Sequence, residues 1–131
     1  MKIMDPIADL LVRIKNAQAA GREITEAPFS RVKLAIAQIL ETEQFIDKVE
    51  KKGARNNEKL EIKLKYDRGV GAIGGIKRVS KPGQRAYAPS PKIKFVKQGY
   101  GLSIISTSQG IMTDKEARKK KIGGEVLCEI W

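Results

Sequence analysis

GLSIISTSQGIMTDKEARKKKIGGEVLCEIW, residues 101–131, decides how the rest of the chain is read. Leu102, Ile104 and Ile105 have the composition of a buried strand, and Ser106, Thr107, Ser108 and Gln109 follow as an unbroken polar run. Gly110 closes the turn, since a tight reversal favours the residue without a Cβ. Ile111 and Met112 resume the apolar pattern. Thr113 and Glu116 have the T-x-x-E spacing of a capping box, which opens a short helix carrying Ala117, Arg118, Lys119 and Lys120. Gly123-Gly124 reads as its stop and turn. From Glu125 onward, Val126, Cys128 and Ile130 alternate with Glu125, Leu127 and Glu129, the period of a strand. The stretch predicts strands around a hydroxyl-rich tip on a stiff base, the form of a device that probes a partner's surface.

Upstream the pattern is helical. Asp5 reads as an N-cap with Pro6 at the first helical position, and Ile7, Leu10, Leu11, Ile14 and Ala17 form one apolar face ending at Gly21. Ile24 to Ala27 predicts a short strand that Pro28 ends. Ser30 caps a second amphipathic helix through Val32, Ala35, Ile36, Ile39 and Leu40, whose early turns are expected to expose Arg31 and Lys33. Phe45, Ile46 and Val49 read as a strand. Leu60, Ile62, Leu64 and Tyr66 alternate with Glu61, Lys63 and Lys65 as its hairpin partner, across a basic tip containing Arg55. Helix, strand, helix, strand, strand is an α+β layer with the helices on one face of a small sheet. The expected organisation is two small subdomains: residues 1–68 as that layer, and residues 69–131 as a mainly β subdomain with short helices.

Gly69-Val70-Gly71-Ala72-Ile73-Gly74 satisfies G-x-G-x-x-G as a string, but the following Ile76 to Ser80 reads as extended chain. A dinucleotide fingerprint needs a helix there, so these glycines are read as a flexible tip at the seam between subdomains. Arg78, Ser80, Lys81, Pro82, Gly83, Arg85 and Tyr87 gather cations around a Pro-Gly turn. Tyr87 is either a core aromatic or a face on which a base or ribose packs. Ser90-Pro91 is expected to cap a helical turn over Lys92–Lys97, stopped at Gly99.

Composition narrows the function. The net charge of +11 sits in the middle of the chain, where residues 51–100 hold 14 basic and 3 acidic side chains. That points to a polyanionic partner, against the plainer reading of a solvated basic face. Histidine is absent, which removes Ser-His-Asp and Cys-His catalysis and the usual zinc ligands. Asp114 and Glu116 are explained by the dipole of the helix they open. No enzyme, metal or cofactor is expected. The single Cys128 reads as a buried strand residue in a reducing cytosol. No apolar run reaches membrane-spanning length, and Met1 to Ile7 leads directly into an amphipathic segment rather than forming a charged-then-apolar leader, so a soluble, cytoplasmic protein is expected.

The run SIISTSQGIMTDKEARKKKIGGEVLCEIW resembles the carboxyl-terminal signature of the bacterial small-subunit ribosomal protein number eight family. R-x-S-K-P-G-x-R-x-Y over residues 78–87 and DPIADLLVRIKNA over residues 5–17 resemble its other segments. The chain departs from the family at Gln44, where a glycine is usual, and at Tyr100, where Gly-Leu-Gly becomes Gly-Tyr-Gly and a larger ring must be packed. The resemblance implies a ribosomal protein that binds the central part of 16S ribosomal RNA early in assembly, contacts neighbouring small-subunit proteins, and represses its own operon messenger. It also favours the stacking role for Tyr87.

A-form RNA displays 2′-hydroxyls and base edges in a wide, shallow minor groove that short hydroxyl side chains reach. Neither long helix carries the Arg, Asn or Gln face of a major-groove DNA reader. Ser106, Thr107, Ser108 and Gln109 are therefore expected to touch ribose hydroxyls and base edges, delivered by Gly110. Gly123 and Gly124 would bring a second backbone segment close, and Glu125 would accept from an amino group or ribose hydroxyl. Lys81, Arg85, Lys33, Arg55 and the cations Arg118–Lys121 would neutralise phosphates. Two other readings stay open: a DNA binder using charge alone, and a hydrolase built on the Ser/Thr cluster, which lacks a base. The polar tip is also readable as an ordinary turn.

Overall fold

The computed structural model describes residues 5–131. Residues 6–73 form one compact unit, and Asp5 with residues 74–131 forms another.

In the first unit, α1 (Pro6–Ala19), β1 (Ile24–Pro28), α2 (Arg31–Thr42), β2 (Ile46–Lys52) and β3 (Lys59–Leu64) follow the expected order. The antiparallel sheet runs β1-β3-β2, with Ile62 opposite both Thr25 and Val49. Period-two alternation buries Leu60, Ile62 and Leu64 of the central strand, while Lys63 between them is exposed. Leu10, Leu11, Ile14 and Ala17 of α1 and Ile36, Ala37 and Leu40 of α2 complete this core. The α2 face is rotated from the sequence reading. Val32 is 41% exposed, and Lys33 occupies the inward position at 6% exposure. The Lys33 ammonium donates to the Pro28 carbonyl at 3.3 Å and lies 3.6 Å from the Asp9 carboxylate, so the expected exposure of Lys33 is corrected. The lysine stem packs as an apolar side chain and its head is paired inside the unit.

Gln44 turns the chain from α2 into β2 with φ 64, the left-handed conformation that a glycine would hold without penalty. The start of the G-x-G-x-x-G string supplies the turn glycine and second strand of a hairpin, β4 (Tyr66–Asp67) and β5 (Val70–Gly71), which turns on Arg68 (φ 54) and Gly69 (φ 81). No helix follows it. Ile73 is tied to α1 through the Gln18 amide, which donates to the Ile73 carbonyl at 2.8 Å and accepts from its N–H at 3.2 Å.

The second unit contains β6 (Ile76–Arg78), β7 (Tyr87–Ala88), β8 (Leu102–Thr107), β9 (Gly110–Thr113), α3 (Asp114–Lys120) and β10 (Gly124–Ile130). Its antiparallel sheet runs β6-β10-β8-β9, and β7 also pairs with β10. Ile93, Ile105, Met112 and Ala117 form a buried cluster with Val126 and Ile122 against it. Thr113 caps α3 by accepting from the Glu116 N–H, as its spacing predicts.

Four sequence expectations are corrected in this unit. The helical turn placed at Lys92–Lys97 is instead a single turn at Ser90–Lys92, because Ile93 and Val96 run extended to bury their side chains; a second turn covers Lys97–Gly99. The residue that ends α3 is Lys121, with φ 57, rather than the Gly-Gly pair. The strict alternation of β10 is broken by a bulge. Val126 faces Ile105 and Cys128 faces Ile104, so Leu127 is an extra residue and both it and Cys128 are buried. Finally, Tyr100 needs no packing space, since it is 89% exposed.

Candidate nucleic-acid interface

The register of β7-β10-β8 places Tyr87 opposite Glu125 and Glu125 opposite Ser106. Directly opposed residues of antiparallel strands share a face, so an aromatic ring, a carboxylate and a hydroxyl stand in one row across three strands. Tyr87 is 71% exposed, which sets aside its reading as a core residue.

Beyond Ser106 the β8–β9 hairpin carries the polar tip. The Thr107 hydroxyl donates to the Gly110 carbonyl at 2.8 Å and accepts from the Gln109 N–H at 3.1 Å, so it stiffens the turn from within. Gly110 has φ 111, a conformation that side chains rarely adopt. Ser108 and Gln109 are left exposed at the tip. The structure thus divides the polar run into one residue that builds the turn and others that face outward.

Glu125 is held from two sides. One carboxylate oxygen accepts from the Ser80 hydroxyl and from Arg85 Nη1 at 3.0 Å. Ser80 is fully buried and its oxygen also accepts from the Ala86 N–H at 3.1 Å. Burial works against ionisation of Glu125, but the bonds from Ser80 and Arg85 outweigh it and hold the carboxyl below its ordinary range. The carboxylate thereby orients Arg85 while being itself largely covered, with its side chain 15% exposed.

Gly123 and Gly124 are required by close approach. A Cβ on Gly123 would lie 2.6 Å from the Pro89 Cα and 3.0 Å from the Ser90 nitrogen. One on Gly124 would lie 3.0 Å from the Ser106 carbonyl carbon and overlap its oxygen.

The cations separate into two kinds. Lys81 and Gln84 close a tight turn by exchanging backbone bonds of 3.0 and 2.9 Å, leaving the Lys81 and Arg85 side chains exposed around Pro82-Gly83. Lys119, Lys120 and Lys121 are exposed, but Arg118 is not available in the way its neighbours are. It forms an ion pair with the buried Asp114 carboxylate at 2.8 Å, and its guanidinium lies 3.9 Å from the centre of the Phe95 ring. Lys33 and Arg55 belong to the other unit, where Arg55 is exposed near the β2–β3 turn and Lys33 is buried.

Sequence reasoning missed two residues that position the site. Ser80 appeared only as one letter of a motif, although it joins the Ala86 backbone to Glu125. Asp114 was assigned to the helix dipole, yet it also accepts from the Ser103 N–H at 3.2 Å and so locks α3 to the start of β8. A charged residue at a periodic position gives no signal of such burial.

One unit with a helix-covered antiparallel sheet, and another whose strands bear a hydroxyl-tipped hairpin and a carboxylate-held arginine, define a small basic α+β protein. A family model described as Ribosomal protein S8 matches residues 5–131. Three proteins called small ribosomal subunit protein uS8 are similar over their full lengths. That of Caldicellulosiruptor bescii is 52% identical, covering 100% of both chains, and that of Persephonella marina is 50% identical, covering 98% of this chain and 99% of the relative. That of Sorangium cellulosum is 49% identical, covering 97% and 98%. The chain belongs to the ribosomal protein S8 family.

Proposed function

We propose that the protein is a non-enzymatic constituent of the small ribosomal subunit in the cytoplasm. In this reading it binds 16S ribosomal RNA directly, recognises an irregular helix of the central domain, and nucleates assembly there beside neighbouring small-subunit proteins. Binding of a similar stem in its own operon messenger would make it a repressor. Residues 69–131 carry the recognition and residues 1–68 the supporting layer.

The observation that carries this reading is the Tyr87–Glu125–Ser106 row leading to an exposed Ser108–Gln109 tip that Thr107 and Gly110 stiffen. Short hydroxyl and amide groups on a rigid tip suit the shallow groove of folded RNA. Gly123 and Gly124 keep the neighbouring backbone close. Lys81, Arg85, Arg55 and the exposed lysines of α3 supply phosphate contacts, which orient without reading sequence. Lys33 acts through the packing of its own unit.

Two substitutions test it. Ser108→Ala is expected to weaken binding to the cognate stem by roughly 1–2 kcal/mol with little change in salt dependence. Lys81→Ala is expected to lower the slope of log K against log salt by about one phosphate's worth. Unchanged affinity and unchanged discrimination against a scrambled stem in Ser108→Ala would remove the tip from the site.

A further inference from the structure

Residues 92–101, KIKFVKQGYG, take no part in the Tyr87–Glu125–Ser106 row and carry two aromatic rings that the core leaves out. Ile93 and Val96 anchor the segment in the second unit, while Phe95 is 66% exposed and Tyr100 is nearly bare. The Arg118 guanidinium packs on one side of the Phe95 ring, which steadies it and leaves the other side to solvent.

Tyr100 is held out by a strained loop. Lys97 (φ 49), Gln98 (φ 57) and Gly99 (φ 95) are consecutive left-handed residues, and the first two carry a Cβ that this conformation crowds. The Gly99 and Gly101 N–H groups donate to the Val96 carbonyl at 3.0 and 3.1 Å, and the Tyr100 N–H donates to the Lys97 carbonyl at 3.1 Å. A Cβ on Gly101 would lie 2.6 Å from the Ile130 carbonyl oxygen, so the end of the loop is pressed onto β10. Strain enforced in this way is concentrated at ligand clamps. The bond from Gly101 to Val96 also limits the spacing of the rings, because standard backbone lengths put the Phe95 and Tyr100 Cα atoms no more than about 15 Å apart.

The charge around the rings is of one sign. Lys48, Lys51, Lys52, Lys59 and Lys63 of the first unit each meet a carboxylate at 3.5 Å or less. Residues 68–113 contain no acidic residue at all. The ion pairs of the second unit use Arg78, Arg85 and Arg118, so Lys92, Lys94 and Lys97 are exposed without a carboxylate partner among the described residues. Lysine is depleted at protein–protein interfaces, whereas unneutralised cations interleaved with exposed rings match an unpaired nucleic-acid strand, whose phosphates and base faces need both. A duplex keeps its base faces stacked on one another and offers the rings nothing.

We propose that residues 92–101 bind an unpaired stretch of RNA, with one base stacked on Phe95, another on Tyr100, and the phosphates on Lys92, Lys94 and Lys97. The choice of RNA rests on the function proposed above; the contact itself is separate from the hairpin tip and takes a different form of the polymer.

The test is fluorescence-anisotropy titration of the full chain with labelled octamers of adenosine and of abasic ribose phosphate, a blunt RNA duplex, and an acidic peptide of alternating Asp and Leu. The adenosine octamer is expected to bind most tightly. Phe95→Leu, which keeps an apolar cover on Arg118 but removes the flat ring, and Tyr100→Ala should each weaken it about tenfold, the effect of losing one stacked base. Lys92→Ala with Lys94→Ala should lower the slope of log K against log salt by about 1.4, two phosphates' worth on a single strand. No binding of the adenosine octamer, equal binding of the abasic octamer or the duplex, or octamer affinity unchanged in both Phe95→Leu and Tyr100→Ala overturns the proposal. Tighter binding of the peptide, lost in those two variants, overturns it in favour of an acidic protein. The cognate stem is titrated in parallel, since failure of the hairpin tip shows in Ser108→Ala with the stem and failure here shows in Phe95→Leu with the octamer.

Discussion

Replacing Gly124 by alanine perturbs the point where the strand bearing Glu125 lies closest to the strand bearing Ser106. The added methyl would sit 3.0 Å from the Ser106 carbonyl carbon and 3.1 Å from Ile105 Cγ2, overlapping the carbonyl oxygen between them. Two of these three atoms are backbone in the middle of a paired strand, so no rotamer change relieves the contact. β10 and β8 must part locally by roughly 1 Å, which forfeits a large share of the dispersion contacts lining the gap. Overpacking of this kind costs about 1–3 kcal/mol, and loosening a ladder bond adds about 1 kcal/mol. The total, about 2–4 kcal/mol, is a large fraction of the stability of a chain this size. Trp131 is the chain's single tryptophan and packs over Gly75 in the same unit, so its fluorescence in urea reports the unfolding that matters. With a mid-range slope of about 2 kcal/mol per molar urea, the midpoint should fall by about 1–2 M. Gly83→Ala is the control, because nothing lies within 4 Å of a Cβ there. A Gly124→Ala midpoint indistinguishable from that control refutes the claim that backbone proximity fixes this glycine.

Gln44→Gly should stabilise the protein by about 0.5–1 kcal/mol in the same assay, since relief of the left-handed backbone exceeds the entropy that glycine adds to the unfolded chain. The bond lost, from Lys65 to the Gln44 side chain at 3.3 Å, is exposed and contributes little. For Glu125, burial opposes ionisation but the bonds from Ser80 and Arg85 prevail, and the folded carboxyl titrates below its ordinary 4.5. Its stabilisation is therefore fully present above that value and is lost as pH falls through the lowered one. Urea curves from neutral pH to pH 3 should show the parent losing more stability than Glu125→Gln, and parallel curves would contradict the assignment. Burial pushes the Cys128 thiol up to about 12. Folded protein at pH 8 should thus resist a thiol-reactive disulfide reagent that labels it fully in urea; prompt labelling of the folded chain would show that the strand opens.

Periodicity made most of the architecture legible. Leu60, Ile62 and Leu64 announce a strand with one buried face, and Thr113 with Glu116 announces the start of α3, because both signals are local. The misreadings arose where tertiary packing overrode a local pattern. Lys33 looked like surface because of its charge, while its methylenes fill the inward position of α2 and its ammonium finds the Pro28 carbonyl. The extended Ile93–Val96 segment was mistaken for helix because the requirement to bury those two side chains is not visible in Ser90-Pro91. Of the polar run, sequence gave the residues and their order, but the internal bonds of Thr107 follow from turn geometry. The pairing of Glu125 with Ser80 links residues 45 apart, a distance no motif spans.

At Val126–Leu127, where β10 steps out of register with β8, the main chain turns its bonding toward residues 79–86 instead. The Leu127 carbonyl receives the Val79 N–H at 3.0 Å, the Val126 carbonyl receives the Ser80 N–H at 3.1 Å, and the Ala86 carbonyl receives the Val126 N–H at 2.8 Å. The loop bearing Lys81 and Arg85 is thus moored at both ends to the one irregular step of the strand. A straightened β10 would leave that loop adrift, and the cations with it.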